Sequence, residues 1–195
     1  MAKFPVETLK GKTLPTNKDY LLQWGGYNVD IGCGPSKIDG FIGLDIRRLP
    51  LVDIVHDLNV IPWPLESNSA DLVIASHVVE HVDSVISFMS ELHRILKDEG
   101  KLVIRYPHYS QRHAFTDPTH KRFMTLESLD FFIFKSELFG GYSDFGFRLI
   151  RKILNADNDI AWILSKLSFE AYEKYWCKLF PAWQVILELE KCQSP

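Results

Sequence analysis

Short apolar runs recur along the first hundred positions of this chain and predict the strands of an α/β domain. The runs are only five to seven residues long and rich in Val, Ile and Leu, with little polar alternation. Such runs are typical of parallel strands that helices cover on both faces. The predicted strands are Tyr27–Ile31, Phe41–Ile46, Leu51–Val55, Ala70–Ser76 and Lys101–Tyr106.

Apolar positions three and four residues apart predict a helix over Asp83–Lys97, with Asp83 or Ser84 as its N-cap. The aromatic segment Leu126–Phe139 also favours a helix. Beyond it the pattern predicts two late strands with helical structure between them. Those strands are Phe145–Leu154 and Gln184–Lys191, and the helical stretch covers roughly residues 160–179.

A chain of 195 residues with 46% hydrophobic residues suits a single domain with its own core. We divide it into an N-terminal arm at residues 1–24, which we expect to close over a ligand, and a polar, histidine-rich connection at 108–125. A helical insertion at 155–182 precedes the last strand. Long connections without periodicity are usually functional or disordered, and the aromatic residues of 108–125 argue against disorder.

The composition limits which binding partners and which cellular compartment are expected. The formal net charge is −3 and no Lys/Arg block occurs, so nucleic acid is not expected as the main partner. Cys33, Cys177 and Cys192 are an odd set, which suggests free thiols in a reducing compartment. We see neither a signal peptide nor an apolar run long enough to span a membrane. A cytoplasmic protein is the expectation.

The segment Val29–Pro35 (Val-Asp-Ile-Gly-Cys-Gly-Pro) predicts a strand followed by a sharp turn at which a ligand contacts the backbone. In parallel sheets, ligands bind outside the carboxyl ends of the strands. Asp45 ends the second strand and can accept two hydrogen bonds from vicinal ribose hydroxyls. Asp57 ends the third strand, where it can accept from an exocyclic amine. Ser76 and His77 end the fourth strand beside the same crevice.

A dinucleotide site is the alternative, and it fits less well. Its fingerprint has a third glycine that opens a helix, but Lys37 occupies that position and Pro35 precedes it. The interval to Asp45 leaves room for only about one helical turn. A nucleoside ligand without a pyrophosphate is therefore favoured.

Five motifs in order, each at a strand end, resemble those of class I S-adenosylmethionine-dependent methyltransferases, in particular the type 11 methyltransferases. Asp-Ile-Gly-Cys-Gly-Pro at 30–35 resembles their first motif, and Gly-Leu-Asp at 43–45 resembles the second. The third and fourth are similar to His-Asp-Leu at 56–58 and to the segment 70–82. The fifth is similar to 96–104. The resemblance is close over residues 27–107 and loose elsewhere.

The resemblance implies a Rossmann-like three-layer sandwich with a mostly parallel seven-stranded sheet and an antiparallel C-terminal edge. It also implies S-adenosylmethionine as cofactor and S-adenosylhomocysteine as product. Asp30 and Gly32 would then contact the amino-acid part of the cofactor, Asp45 the ribose, and Asp57 with Leu58 the adenine. The predicted cofactor site also includes their neighbours: Cys33, Gly34, Ile46, Ser76 and His77.

Histidines at strand ends are the candidates for a catalytic base. Methyl transfer to a hydroxyl requires alignment and removal of a proton, and imidazole titrates near neutrality. We predict His77, His108 or His113 as that base without ranking them, and Asp117 could orient a histidine. Surface or capping roles for these histidines are the alternative.

His77, Glu80 and His81 would share one face of a helix, a spacing that suits a metal ion. However, Glu-His-Val at 80–82 also resembles many metal-free relatives. We therefore predict no metal.

The acceptor is predicted to be a small metabolite or saccharide that is methylated on oxygen. The chain lacks the Asn/Asp-Pro-Pro-Tyr motif of many amine methyltransferases, and no cysteine follows the fourth strand. Arg112, Lys121 and Arg122 could recognise an anionic group. The aromatic C-terminal region should pack in the core, and it could also form a homodimer interface. The alternatives are a catalytically silent S-adenosylmethionine-binding partner or regulatory subunit and, with less support, an NAD-dependent oxidoreductase.

Overall fold

The computed structural model describes residues 5–10, 15–16, 19–20, 23, 26–134, 136 and 144–192. In this part of the chain an eight-stranded sheet forms the centre, in the order β1-β7-β8-β6-β5-β2-β3-β4. The strands are β1 Val6–Lys10, β2 Asn28–Ile31, β3 Ile42–Asp45, β4 Ile54–Val55, β5 Ala70–Ser76, β6 Leu96–Pro107, β7 Phe147–Ala156 and β8 Ala182–Lys191.

Only the last strand runs against its neighbours. β8 pairs antiparallel with both β6 and β7, whereas the other pairs are parallel. The predicted α/β class and the mostly parallel, Rossmann-like sheet with an antiparallel C-terminal strand are confirmed. The sheet has one strand more than predicted, because Val6–Lys10 pairs with β7 within the segment that we assigned to an arm. The rest of that segment lies largely outside the described residues.

The main helix, α1 Val85–Ile95, joins β5 to β6. Ser84 caps its start, where the Ser84 hydroxyl accepts a hydrogen bond of 3.1 Å from the Ser87 N–H. The other helices whose bounds lie within the described residues are short. They are α2 His113–Thr116, α3 Asp159–Leu167 and α4 Phe169–Ala171, with a 3₁₀ turn at Asp130–Phe132 and a π-helical turn at Tyr172–Trp176.

The helix predicted over Leu126–Phe139 is wrong within the described residues 126–134, which contain only the 3₁₀ turn. Tertiary contacts override the local preference here. Buried Asp130 forms an ion pair with Lys152 of β7, and Ile133 makes an isolated bridge with Phe147. Residues 137–139 lie outside the described residues.

Side chains on the two faces of the sheet enter separate cores. Val73 and Ala75 of β5 belong to the larger cluster, beneath α1, and Leu72 and Ile74 to the smaller one on the opposite face. Strands β2 to β6 are parallel, so their carboxyl ends share one edge of the sheet, where ligands bind in such folds. No helix in the described part of the chain is long and apolar enough to cross a membrane.

Candidate functional site

The turn after β2 depends on two glycines in left-handed backbone conformations. Gly32 has a φ of +66° and Gly34 a φ of +55°. A Cβ on Gly32 would also lie only 2.3 Å from Cγ2 of Val78. The backbone conformation at both positions and the close approach of Val78 to Gly32 therefore require glycine even without a bound ligand.

Two buried carboxylates hold this turn in place. Asp45 Oδ2 accepts a hydrogen bond of 2.9 Å from the Gly34 N–H, and Asp45 Oδ1 accepts one of 2.9 Å from the Arg47 N–H. Asp30 Oδ2 accepts one of 3.0 Å from the Ile38 N–H. A carboxylate oxygen has two lone pairs, so Asp45 retains acceptor capacity toward a ligand.

Burial shifts the titration of two predicted site residues. It raises the pKa of Asp30 from 3.8 to about 6, against the opposing effect of the Ile38 N–H. It also raises the pKa of the Cys33 thiol to about 11, with Asp30 and Asp45 nearby. Because only a thiolate is a good nucleophile, Cys33 is a packing residue rather than a reactive one.

A cavity of about 820 Å³, here named the cofactor cavity, opens at the carboxyl ends of β2, β3 and β5. Six of the ten predicted cofactor residues line it: Gly32, Asp45, Ile46, Asp57, Leu58 and His77. The other four, Asp30, Cys33, Gly34 and Ser76, do not, although Asp30 and Gly34 take part in the hydrogen bonds of the turn.

The lining of the cofactor cavity has the chemistry that a nucleoside requires. Asp45 offers a carboxylate, while Leu58 and Val82 offer apolar surface for a ring. Asp57 Oδ1 accepts hydrogen bonds from the backbone N–H and the side-chain amide of Asn59. Oδ2 of Asp57 has no such partner among the described residues and is available to an exocyclic amine.

A second cavity of about 570 Å³, the acceptor cavity, lies beside the first. Four imidazoles line it, together with Glu80, Gln111 and Trp183: His77, His81, His113 and His120. His77, His81, Asp117 and Pro118 line both cavities.

His77 stands out among the four imidazoles. Its φ of +56° is unusual for a residue with a side chain, and such strain is concentrated at functional sites. His77 Nε2 lies 3.1 Å from Oε1 of Gln184, and Nδ1 lies 3.5 Å from Oε1 of Glu80. The side chain is 44% exposed, so it remains accessible to a ligand in either cavity.

His108, the third candidate base, does not line either cavity. It is 1% exposed, and its Nε2 lies 3.2 Å from Oε1 of Glu173. Burial alone would raise the pKa of Glu173, but the hydrogen bonds from His108 and from the Leu126 N–H lower it. The pair therefore supports the packing of the C-terminal region against the 108–125 connection.

Two of the predicted anion-binding residues have structural partners instead. Arg122 donates hydrogen bonds to the carbonyls of Val79, Val82 and Asp83. Lys121 lines the cofactor cavity but forms an ion pair with Asp83. These contacts tie the loop after β5 to the 117–122 segment.

Asp117 acts on a histidine indirectly, through Thr119. Its Oδ1 accepts a hydrogen bond of 2.6 Å from the Thr119 hydroxyl, which lies 2.9 Å from Nδ1 of His81. The hydrogen bonds from Thr119 lower the pKa of the Asp117 carboxyl. The predicted orienting role is thus directed at His81 rather than at His77 or His113.

The sequence did not reveal residues that contact the site from distant positions along the chain. Asp53 Oδ2 accepts hydrogen bonds of 2.7 Å from the Gly43 N–H and from Lys37 Nζ, which brace the outer side of the glycine turn. Gln184 of β8 reaches His77. The spacing within the sequence gives no signal for such contacts, because they depend on strand order.

Comparison with known proteins gives a consistent match. Residues 40–104 match the model of a methyltransferase domain family. An uncharacterised protein of Methanocaldococcus jannaschii is 32% identical over 104 residues, which cover 48% of this chain and 43% of the relative. The match thus spans less than half the length of that curated relative.

Solved structures share the fold over most of the chain. A SAM-dependent methyltransferase from Archaeoglobus fulgidus has a TM-score of 0.59 at 22% identity and covers 89% of this chain and 90% of its own. An S-adenosylmethionine-dependent methyltransferase from Mesorhizobium loti has a TM-score of 0.55 at 15% identity, with coverage of 85% and 90%. The resemblance drawn from the motifs is therefore confirmed: residues 40–104 match a methyltransferase-domain model, and the chain shares the fold of solved S-adenosylmethionine-dependent methyltransferases, whose similarity implies S-adenosylmethionine as cofactor.

Proposed function

We propose that this protein transfers a methyl group from S-adenosylmethionine to a hydroxyl oxygen of a small metabolite or saccharide. The observation that carries the proposal is the position of His77, which lines both the cofactor cavity and the acceptor cavity. A residue on the wall shared by two cavities can contact ligands bound in both of them.

The cofactor cavity would hold the nucleoside part of S-adenosylmethionine. The Asp45 carboxylate is suited to the vicinal hydroxyls of the ribose, and Asp57 is suited to the adenine amine. Leu58 and Val82 supply apolar contacts for the ring. The bound cofactor would supply a methyl group already activated by a sulfonium, so alignment and proton removal are what remains for the protein.

The acceptor oxygen must lose its proton as it forms a bond to the methyl carbon and the bond from that carbon to sulfur breaks. His77 is our candidate for the base that takes the proton. Gln184 and Glu80, on either side of its ring, would fix the imidazole orientation. His113 also lines the acceptor cavity and is the second candidate.

The lining of the acceptor cavity supports a hydroxyl-bearing acceptor. Its imidazoles, Gln111 and Glu80 offer both donors and acceptors, as a polyhydroxylated molecule requires. The exposed side chain of Trp183 adds an apolar face. Arg112 is the remaining candidate for recognition of an anionic group.

The geometry of the glycine turn speaks against an NAD-dependent oxidoreductase. Residues 32–41, all of which are described, contain turns and bends but no helix. A pyrophosphate site of the dinucleotide type uses the N–H groups at the start of a helix after the first strand. That element is missing at this position.

A screen with isotope-labelled S-adenosylmethionine and fractionated cell extract tests the proposal. The expected result is labelled product with the methyl group on oxygen, formed by the wild-type protein and lost with His77→Gln. Binding of the cofactor without turnover on any fraction would instead support a catalytically silent partner or regulatory subunit. Labelled product with the methyl group on nitrogen or carbon would support methyltransferase activity but refute oxygen as the acceptor atom.

A further inference from the structure

We propose that Glu80, His81 and His120 form a binding site for a divalent transition-metal ion in the wall of the acceptor cavity. Glu80 and His81 lie in the loop after β5, and His120 lies in the 117–122 segment. This site is contrary to our prediction of no metal, which considered residues 77–82 and not His120.

The three side chains converge on one point. Each offers one ligand atom, and these atoms lie within 4.8 Å of one another. The rings of His81 and His120 meet edge to face with centroids 4.6 Å apart, and His120 Nε2 lies 4.0 Å from Oε1 of Glu80. Ligand atoms about 2.0–2.2 Å from an ion lie roughly 3–3.5 Å apart, so small side-chain rotations would close the site.

Glu80 provides an independent reason to expect a cation. Its side chain is 0% exposed, and neither carboxylate oxygen has a hydrogen-bond partner among the described residues. The nearest imidazole nitrogens, His77 Nδ1 at 3.5 Å and His120 Nε2 at 4.0 Å from Oε1, make no hydrogen bond to it. A buried carboxylate that accepts no hydrogen bond costs several kcal/mol unless a cation or a proton compensates it. Both oxygens therefore lie in a position that a bound ion would stabilise.

The hydrogen bonds of the two histidines leave one nitrogen of each available to a metal. The Thr119 hydroxyl donates its only hydrogen to Asp117, so it must accept from the Nδ1–H of His81. The Nδ1–H of His120 donates to the Ala114 carbonyl at 2.8 Å. In the neutral form of each ring, Nε2 is therefore unprotonated, because a hydrogen bond from Nδ1–H fixes the tautomer that a metal-binding histidine needs.

The two ligand-bearing segments are held together by contacts that need no ion. Arg122 binds the carbonyls of Val79 and Val82 on either side of Glu80 and His81. The Lys121 N–H donates to the Glu80 carbonyl at 2.8 Å. The site is thus assembled before any metal enters.

Two imidazoles and one carboxylate suit Zn²⁺ or Mn²⁺ better than Mg²⁺, which prefers oxygen ligands. Three protein ligands would leave at least one coordination position open, and all three side chains line the acceptor cavity. Resting on the proposed function, we infer that the acceptor hydroxyl occupies this position, where the ion would lower the pKa of the hydroxyl. Ion binding itself does not depend on that function.

Metal binding is tested on chelator-treated, full-length protein by calorimetric titration with Zn²⁺, Mn²⁺ and Mg²⁺, without cofactor or acceptor. One equivalent of Zn²⁺ or Mn²⁺ should bind, at least about 100-fold more tightly than Mg²⁺. His120→Ala should weaken binding about 100-fold or more. The matched control is His113→Ala, which removes an imidazole from the same cavity outside the cluster and should change affinity less than about threefold.

Thermal unfolding with Glu80→Gln separates a metal site from a folding defect. In chelator, this variant should unfold at the same temperature as the wild type or higher, because a buried charge that accepts no hydrogen bond has been removed. Added Zn²⁺ should raise the midpoint of the wild type but not of the variant. If no ion binds to the wild type, or if His113→Ala and His120→Ala weaken binding equally, the site is refuted. Loss of methyl transfer alone would leave these titrations unchanged and would bear only on the proposed function.

Discussion

Buried carboxylates beside the two cavities differ in whether they accept hydrogen bonds. On the cofactor side, Asp45 and Asp30 accept hydrogen bonds from backbone N–H groups of the turn that they hold. On the acceptor side, Glu80 is fully buried with no hydrogen-bond partner among the described residues. The first cavity is thus shaped by hydrogen bonds within the chain, whereas the second contains a buried carboxylate that has two imidazoles nearby but accepts no hydrogen bond from them.

This difference in hydrogen bonding indicates how substitutions on each side should affect stability, ligand affinity and turnover. Changes at Asp45 should affect affinity and stability together, because this carboxylate both holds the turn and lines the cofactor cavity. Changes on the acceptor side should affect turnover or ion binding while the fold remains intact. Four substitutions test this distinction.

The largest effect is expected from His77→Gln. Loss of a general base typically lowers turnover by about 10²–10⁴-fold, and glutamine keeps a polar side chain beside Gln184. His113→Gln is the matched control, since His113 lines only the acceptor cavity and should cost less than about tenfold. Initial rates with the labelled acceptor measure both. Full turnover by His77→Gln would remove His77 from the chemistry.

Asp45→Ala should weaken S-adenosylmethionine binding by roughly 100-fold, because hydrogen bonds to a charged acceptor contribute about 1.5–3 kcal/mol each. Asp39→Ala removes a carboxylate from an exposed position on the adjoining loop and serves as control. Calorimetric titration gives both affinities. An unchanged affinity in Asp45→Ala would show that another group binds the ribose.

Gly32→Ala should lower the free energy of unfolding by about 2–3 kcal/mol, through the left-handed backbone and the collision with Val78. Gly40→Ala is the informative control. Gly40 also has a positive φ, of +81°, but a Cβ there would meet nothing within 4 Å. Urea unfolding should show the smaller loss in Gly40→Ala, and equal losses would contradict the packing argument.

Asp30→Asn should stabilise the protein at neutral pH but not in acid. With a pKa of about 6 in the folded protein against an ordinary 3.8, Asp30 binds its proton more tightly when folded. Its contribution to stability is therefore greatest below pH 4 and falls as the pH rises from about 4 to about 6. Urea unfolding should show Asp30→Asn about 2 kcal/mol more stable than wild type at pH 7.5, with little difference at pH 4. The same difference in stability at both pH values would contradict the raised pKa of Asp30.

Strands with continuous apolar runs could be predicted from sequence because burial on both faces dictates their composition. β5 has the predicted bounds, β2 begins one residue later than predicted, and β3 is one residue shorter than predicted at each end. β1 was missed because its pattern within Val6–Lys10 is mixed and its partner, β7, lies far along the chain. The helix over Leu126–Phe139 was predicted from aromatic spacing, but Asp130 and Ile133 are bound by contacts with β7 that the sequence does not reveal.

For the same reason, more residues of the cofactor side than of the acceptor side could be predicted from the sequence. Its residues follow the strands directly, so strand order brings Gly32, Asp45 and Asp57 together. The acceptor cavity unites the loop after β5 with a distant segment, and only the folded chain brings His120 to Glu80. His108 follows its strand as predicted, yet its side chain turns toward Glu173 instead of a cavity.

The most direct test of the central claim is a side-by-side calorimetric titration of the wild-type protein with S-adenosylhomocysteine and with NAD. We predict one equivalent of S-adenosylhomocysteine bound and no measurable binding of NAD, because the cofactor cavity offers acids for a nucleoside but no helix start for a pyrophosphate. Saturable binding of NAD in preference to S-adenosylhomocysteine would contradict the account.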